Sequence, residues 1–259
     1  EHMGSECRIH YSIIDAGGQS PNVVQPKAQV LYMVRAKLMK EAMELQARVD
    51  KIAEAAAMMT ETTVKKKFID GCSNTVTNRP LEKLFYKNFE EIGVPSYTEE
   101  ELAFAEKLNA SCELGKTALP GSFTDESFEL QEFVDKASNH GTKAMNDFLI
   151  PYFYSEKMKA GSTDVGDVSW NTPTAQIRVA CFPSAAPGHS WQNVSCGATS
   201  IGHKGTLTAG KVIAGTAIDL LENQEILAAA KEEFEKKTKG GYYCPIPDGA
   251  KPVLAGEQM

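Results

Sequence analysis

Several signatures are missing from these 259 residues, and each absence narrows the chemistry. There is no C-x-x-C pair, no H-x-D and no H-E-x-x-H, so neither a zinc ribbon nor a complete metal site is written in local spacing. No apolar run approaches the roughly 18 to 20 residues that cross a bilayer, and the opening Glu1-His2-Met3-Gly4-Ser5-Glu6 lacks a signal-peptide layout. No membrane partner is therefore expected, and a cytoplasmic setting is. Basic residues are the minority, with Lys+Arg 27 against Asp+Glu 34 and a net charge of -7, which argues against nucleic acid while leaving a local basic patch open. The six cysteines, Cys7, Cys72, Cys112, Cys181, Cys196 and Cys244, stand far apart and read as reduced, structurally ordinary thiols. What remains is a globular composition, 42% hydrophobic and 24% charged, in a length suited to one large or two ordinary domains.

Patterning predicts the elements. Arg8 to Asp15 is short, β-branched and aromatic, and stops at Gly17-Gly18; Ala28 to Arg35 repeats that character after a Pro-bounded turn. Ala42, Leu45, Val49, Ile52 and Ala56 recur at helical steps in a stretch free of Gly and Pro, predicting a helix over about 38–59. Thr62 to Ile69 is expected as a third strand. Asn78 caps and Pro80 opens a helix reaching about Ile92, and Thr98 with Glu101 forms a capping box for the next. Further helices are expected over 124–137, 207–221 and 225–237, the first of the last two buried, with a strand at Ala175 to Phe182. The order strand, strand, helix, strand is three quarters of a βαββαβ sandwich, so the chain is expected to start inside a domain.

Five histidines are present, His2, His10, His140, His189 and His203, and no two share a helix face at i, i+4. His189, in Pro187-Gly188-His189-Ser190 after a predicted strand, is either a loop imidazole bonded to backbone or a ligand at a sheet end. Residues 161–170 gather Asp164, Asp167, three hydroxyls and Trp170, and either shape a polar pocket or simply turn the chain. Asn22 and Arg35 are a turn asparagine and a surface arginine, or else an oxyanion donor and a guanidinium fork for a carboxylate.

The stretch Gly17-Gly18-Gln19-Ser20-Pro21-Asn22-Val23-Val24, the strand end Tyr32-Met33-Val34-Arg35, Ala57-Met58-Met59-Thr60-Glu61-Thr62, Ser162 to Trp170 with Pro173-Thr174, Pro187 to Trp191, and Ser200-Ile201-Gly202-His203-Lys204-Gly205 together resemble the aminobenzoyl-glutamate hydrolase group. That group is part of the aminoacylase and carboxypeptidase class of dinuclear metal amidohydrolases. The resemblance runs along essentially the whole chain but covers only the C-terminal half or so of the usual family length.

The resemblance implies an α/β (α+β) fold, with residues 1–78 as a partial ferredoxin-like lid and dimerisation domain. Residues 79–259 would be the C-terminal part of a zinc-peptidase-like α/β catalytic domain. It implies two divalent ions, Zn or Mn, in the intact protein, with His189 the one matched ligand and the other ligands and the glutamate base outside this chain. Asn22 and Arg35 would hold the substrate carboxylate and the oxyanion from the lid, often across a homodimer. Trp170 or Trp191 would line an aromatic pocket or pack, and His203 lies in a motif with less obvious access to the metals. The implied reaction is hydrolysis of an amide in aminobenzoyl-glutamate or a similar N-acyl amino acid or dipeptide, completed by an N-terminal half or a partner subunit. The alternative is a non-catalytic dimerisation or binding fragment of such a protein.

Overall fold

The computed structural model describes residues 3–112, 127–158 and 161–251. They fall into two compact units: one contains residues up to Val76 with Lys157–Asn171 and the segment from Gly240, the other Thr77–Glu156 and Thr172–Lys239. The sequence expectation placed everything after residue 78 in the second unit. Mixed helix with a small sheet is the observed class.

The first unit opens with β1 (Arg8–Asp15) and β2 (Gln29–Arg35), paired antiparallel with Tyr11 opposite Tyr32 and Arg8 opposite Arg35. The Tyr11 and Tyr32 rings lie 6.1 Å apart, the kind of cross-strand aromatic contact that fixes register. Gly17 sits at φ 86, and a side chain there would run into the Lys27 carbonyl, so this turn requires glycine. Helix α1 (Met39–Met59) follows, with Leu45 and Val49 on its buried stripe. Leu38 offers it no side-chain cap; instead the Asn74 side-chain oxygen accepts from the Met39 N–H at 3.1 Å.

The expected third strand, Thr62 to Ile69, does not form. The sheet has only two strands, and residues 62–68 are exposed. Three consecutive lysines occupy this stretch, and Lys66 turns to α1, bonding Glu54 at 2.7 Å and pairing with Asp50 at 3.4 Å. β-branched residues favour a strand only where a ladder partner exists.

The second unit is helical: α2 (Arg79–Ile92), α3 (Glu99–Ala110), α4 (Phe128–Ala137), then α6 (Trp191–Cys196), α7 (Ser200–Glu222) and α8 (Gln224–Lys237), the intervening α5 (Val165–Ser169) lying in the first unit. The Asn78 cap and the Thr98–Glu101 capping box are both formed. Residues 124–126 of the expected fourth helix lie outside the described residues. Ala175 to Phe182 is not a paired strand, because no neighbouring strand exists among the described residues. Helix α7 begins seven residues earlier than expected and is not buried all round. Ile201, Gly202, Gly205, Val212 and Thr216 pack inward, while Leu207, Ile213, Ile218 and Leu221 are exposed. Its inward side packs on α2, α8 and α6. No helix among the described residues is long and apolar enough to cross a membrane.

A half-buried staple joins α3 to α7. Glu101 accepts from the Thr98 N–H and from Lys204, both at 2.7 Å, and Lys204 also donates to the Ser96 carbonyl at 2.9 Å. The Lys204 ammonium, followed by the Ser200 hydroxyl, holds the Glu101 carboxyl at a pKa of about 2. A depressed folded-state pKa contributes stability that is present above the unfolded value, near 4.3, and lost as pH falls towards about 2. Lys204→Met is therefore expected to destabilise by about 2 kcal/mol at neutral pH, the range for a hydrogen bond to a charged group. That difference should shrink by more than half between about pH 5 and pH 3. Urea midpoints across this window check it; a pH-independent difference contradicts it.

Candidate functional site

Asn22 and Arg35 both belong to the first unit. Asn22 lies exposed in the turn that joins β1 to β2, and Arg35 ends β2 on the side away from that turn. The seven residues of β2 span roughly 20 Å. No hydrogen bond or ion pair joins the two side chains among the described residues, so they do not form one preassembled fork.

Arg35 has a different neighbour, one not singled out from sequence. The antiparallel register sets Arg8 directly opposite it. Like charges facing across a strand pair repel unless something neutralises them. Arg35 donates from Nη2 to the Ser162 hydroxyl at 3.2 Å, and Arg8 donates from Nη1 to the Ser5 and Cys7 carbonyls at 2.6 and 2.7 Å. None of these acceptors carries charge, and neither arginine forms a salt bridge among the described residues. Two cross-strand guanidiniums without a carboxylate are suited to an external anion. The long 16–28 turn leaves the register open from sequence, and a one-residue slip would set Arg8 opposite Val34 instead.

The loop 161–170 is occupied by structural work. Asp167 accepts from the Ser73 N–H at 3.0 Å, the Ser73 hydroxyl at 2.6 Å and the Tyr242 hydroxyl at 2.9 Å. Ser169 accepts from the Val76 N–H at 2.8 Å, and the Trp170 indole donates to the Asn74 carbonyl at 2.8 Å. Gly166 lies so close to the Ser73 backbone that a Cβ would strike its carbonyl oxygen. The motif thus clamps residues 73–76, and Asn74 in turn caps α1. Of its two carboxylates only Asp164 stays exposed.

His189 belongs to the second unit. It is exposed, and its backbone is left-handed at φ 57, a conformation non-glycine residues seldom adopt. The following Ser190 fixes this turn by donating to the Pro187 carbonyl at 2.7 Å and capping α6 through the Asn193 N–H at 3.2 Å. The His189 imidazole has no partner among the described residues, so both ring nitrogens are available. His203 is exposed on α7 and Trp191 is exposed on α6.

A dinuclear metal centre is not filled by these side chains. Among the described residues no three His, Cys, Asp or Glu side chains are grouped to hold an ion, whereas a catalytic zinc needs about three protein ligands. All six cysteines are free thiols. Burial, reinforced by Asp70, Asp167 and Asp164, pushes the Cys72 pKa up, and burial alone raises Cys196, so neither is poised as a thiolate nucleophile.

No family model matches the chain. It is 40% identical, in an alignment of 260 positions that covers 97% of its length, to a p-aminobenzoyl-glutamate hydrolase subunit of Escherichia coli (strain K12). The similarity runs along nearly all of this chain. The chain is also 24% identical over 238 residues to the Xaa-Arg dipeptidase of Homo sapiens and 22% identical to that of Mus musculus, each across 92% of the chain. All three are named as hydrolases of amide or peptide bonds, which agrees with the amidohydrolase resemblance carried by the sequence motifs. The chain spans about half the length of these relatives, 52% of the bacterial hydrolase and 42% of the dipeptidases.

Proposed function

We propose that the chain is part of a metal-dependent amidohydrolase that cleaves an amide bond in aminobenzoyl-glutamate or a related N-acyl amino acid or dipeptide. The observation that carries this reading is the Arg8–Arg35 pair, two arginines opposed across the hairpin with no carboxylate to neutralise them among the described residues. Arg35 of one copy takes the substrate carboxylate, and the Asn22 amide of the other copy in the pair, without a side-chain partner among the described residues, donates to the carbonyl oxygen as it becomes an oxyanion. His189, exposed and without a partner among the described residues, is one ligand to a divalent ion, and such ions would supply an activated water when bound. The remaining ligands and the general base come from polypeptide outside these 259 residues. The first unit is the lid of ferredoxin-like type and the second the end of the catalytic domain.

Pairing of two copies through the lid is part of the same reading. Exposed Tyr11, Ile13, Val30, Tyr32 and Met33 on the ribbon support it, since a monomer leaves them in water. The shortage of ligands favours a second reading for the 259 residues acting alone: dimerisation and carboxylate binding without hydrolysis.

The test compares p-aminobenzoyl-glutamate with an analogue whose carboxylates are converted to amides, assayed in the longest polypeptide the gene encodes. Wild type should prefer the acid by about 10- to 100-fold in kcat/KM, the value of a charge-assisted bond. Arg35→Ala should lose that preference mainly through KM, and Arg8→Gln should weaken it. Full retention in Arg35→Ala would sink the assignment.

A further inference from the structure

One face of the first unit's hairpin is cationic. Pairing sets Arg8 opposite Arg35, His10 opposite Met33 and Ser12 opposite Leu31, and because side chains alternate along a strand these residues share that face. No carboxylate stands among them. Arg8 is exposed, and its Nη1 gives both of its hydrogens to backbone, to the Ser5 and Cys7 carbonyls at 2.6 and 2.7 Å. Those bonds hold the guanidinium, while its Nε and Nη2, an edge that matches a carboxylate, have no acceptor among the described residues. Arg35 donates from Nη2 to the Ser162 hydroxyl at 3.2 Å and has no other acceptor among the described residues.

Two directly opposed strand residues have Cβ atoms about 4.5–5.5 Å apart, and like charges in that position destabilise the pair. A single carboxylate neutralises one guanidinium and leaves the other facing a like charge. A dicarboxylate neutralises both, one fork to each carboxylate. The spacing suits glutamate: four single bonds of about 1.5 Å join its two carboxyl carbons, which lie about 5 Å apart when extended. Glutamine in its place leaves one arginine unpaired, and a lysine or arginine side chain is repelled.

We infer that Arg8 is a specificity-determining residue that binds the second carboxylate of the substrate. Arg35 takes the main-chain carboxylate of the residue released by hydrolysis, and Arg8, opposite it, takes the carboxylate of that residue's side chain. The ribbon thereby selects an N-acyl glutamate over its side-chain amide. The inference rests on the proposed role of Arg35 and extends it to the chemical class of the leaving residue, and it is measured without turnover.

The experiment is calorimetric binding to the longest polypeptide that the gene encodes. The probes are sulfonamides, which an amide hydrolase does not cleave: 4-aminobenzenesulfonyl-glutamate and its two mono-amides, the glutamine and isoglutamine counterparts. Wild type should bind the dicarboxylate about 10- to 100-fold more tightly than either mono-amide, the value of a charge-assisted bond. Arg8→Gln should erase the margin over the glutamine probe and keep that over the isoglutamine probe, and Arg35→Ala should do the reverse. Arg8→Lys, which keeps the charge without the fork, should restore part of the lost margin. The melting temperature of unliganded Arg8→Gln should match or exceed that of wild type, because a like-charge pair is removed. A margin over the glutamine probe that survives Arg8→Gln overturns the inference, as does loss of both margins together. A melting temperature several degrees lower also overturns it, making Arg8 a strut of the hairpin through its bonds to Ser5 and Cys7. If Arg35→Ala keeps its margin over the isoglutamine probe while Arg8→Gln loses its own, the proposed role of Arg35 fails and that of Arg8 stands. A polypeptide that binds in the expected pattern but hydrolyses no amide faults the proposed activity alone.

Discussion

Asp167→Ala is expected to lower the unfolding free energy of the first unit by about 3–4 kcal/mol, a loss few single substitutions reach. One carboxylate there receives three donors, the Ser73 N–H, the Ser73 hydroxyl and the Tyr242 hydroxyl. Removing it strands all three, and hydrogen bonds to a charged acceptor are each worth roughly 1.5–3 kcal/mol when partners are left unmade. Part of that is recovered by water because the site is half-buried. Gly166→Ala should match it by a different route, since its methyl group meets the Ser73 carbonyl, a backbone atom that cannot swing away. Tyr242→Phe removes a single donor and should cost about 1 kcal/mol. Urea denaturation followed by Trp170 fluorescence, in a Trp191→Phe background, ranks the three. An Asp167→Ala variant within about 0.5 kcal/mol of wild type would mean that the motif only turns the chain.

That clamp also marks where sequence alone runs out. The helices were legible because their signals are local: the Asn78 cap, the Thr98–Glu101 box and the apolar steps of α1 each act within a few residues. The hairpin was legible through its glycines and β-branched runs. The strands expected at 62–69 and 175–182 failed as ladders because a strand is a property of two segments. Lys66 found carboxylates on α1, and Ile177 and Val179 have no neighbour to pair with among the described residues. Loop 161–170 was ambiguous for the same reason. Its partners, Ser73, Asn74, Val76 and Tyr242, stand 75 to 96 positions away, and no spacing rule connects them. Arg8 was overlooked because it acquires meaning only once register places it against Arg35. His189 stood out by its Pro-Gly turn, and its left-handed backbone adds strain of the kind that collects at functional positions.

His189 therefore allows a test that separates ligation from folding. Its φ of 57 is tolerated by asparagine as well as by histidine, so His189→Asn should keep the turn and leave the melting temperature within about 2 °C of wild type. Its amide is a poor replacement for a neutral imidazole towards Zn²⁺ or Mn²⁺. In the longest polypeptide the gene encodes, the variant should lose close to one equivalent of bound metal. Hydrolysis of p-aminobenzoyl-glutamate should fall at least about 100-fold, since residues that merely orient a metal ligand already cost 10- to 100-fold. His203→Asn, the parallel change on the exposed face of α7, should leave both unchanged. Metal stoichiometry, activity and thermal unfolding on the same preparations decide between the roles. If His189→Asn retains its metal and turnover, the exposed imidazole is not a ligand; if it loses activity together with several degrees of stability, the residue serves the turn rather than the ion.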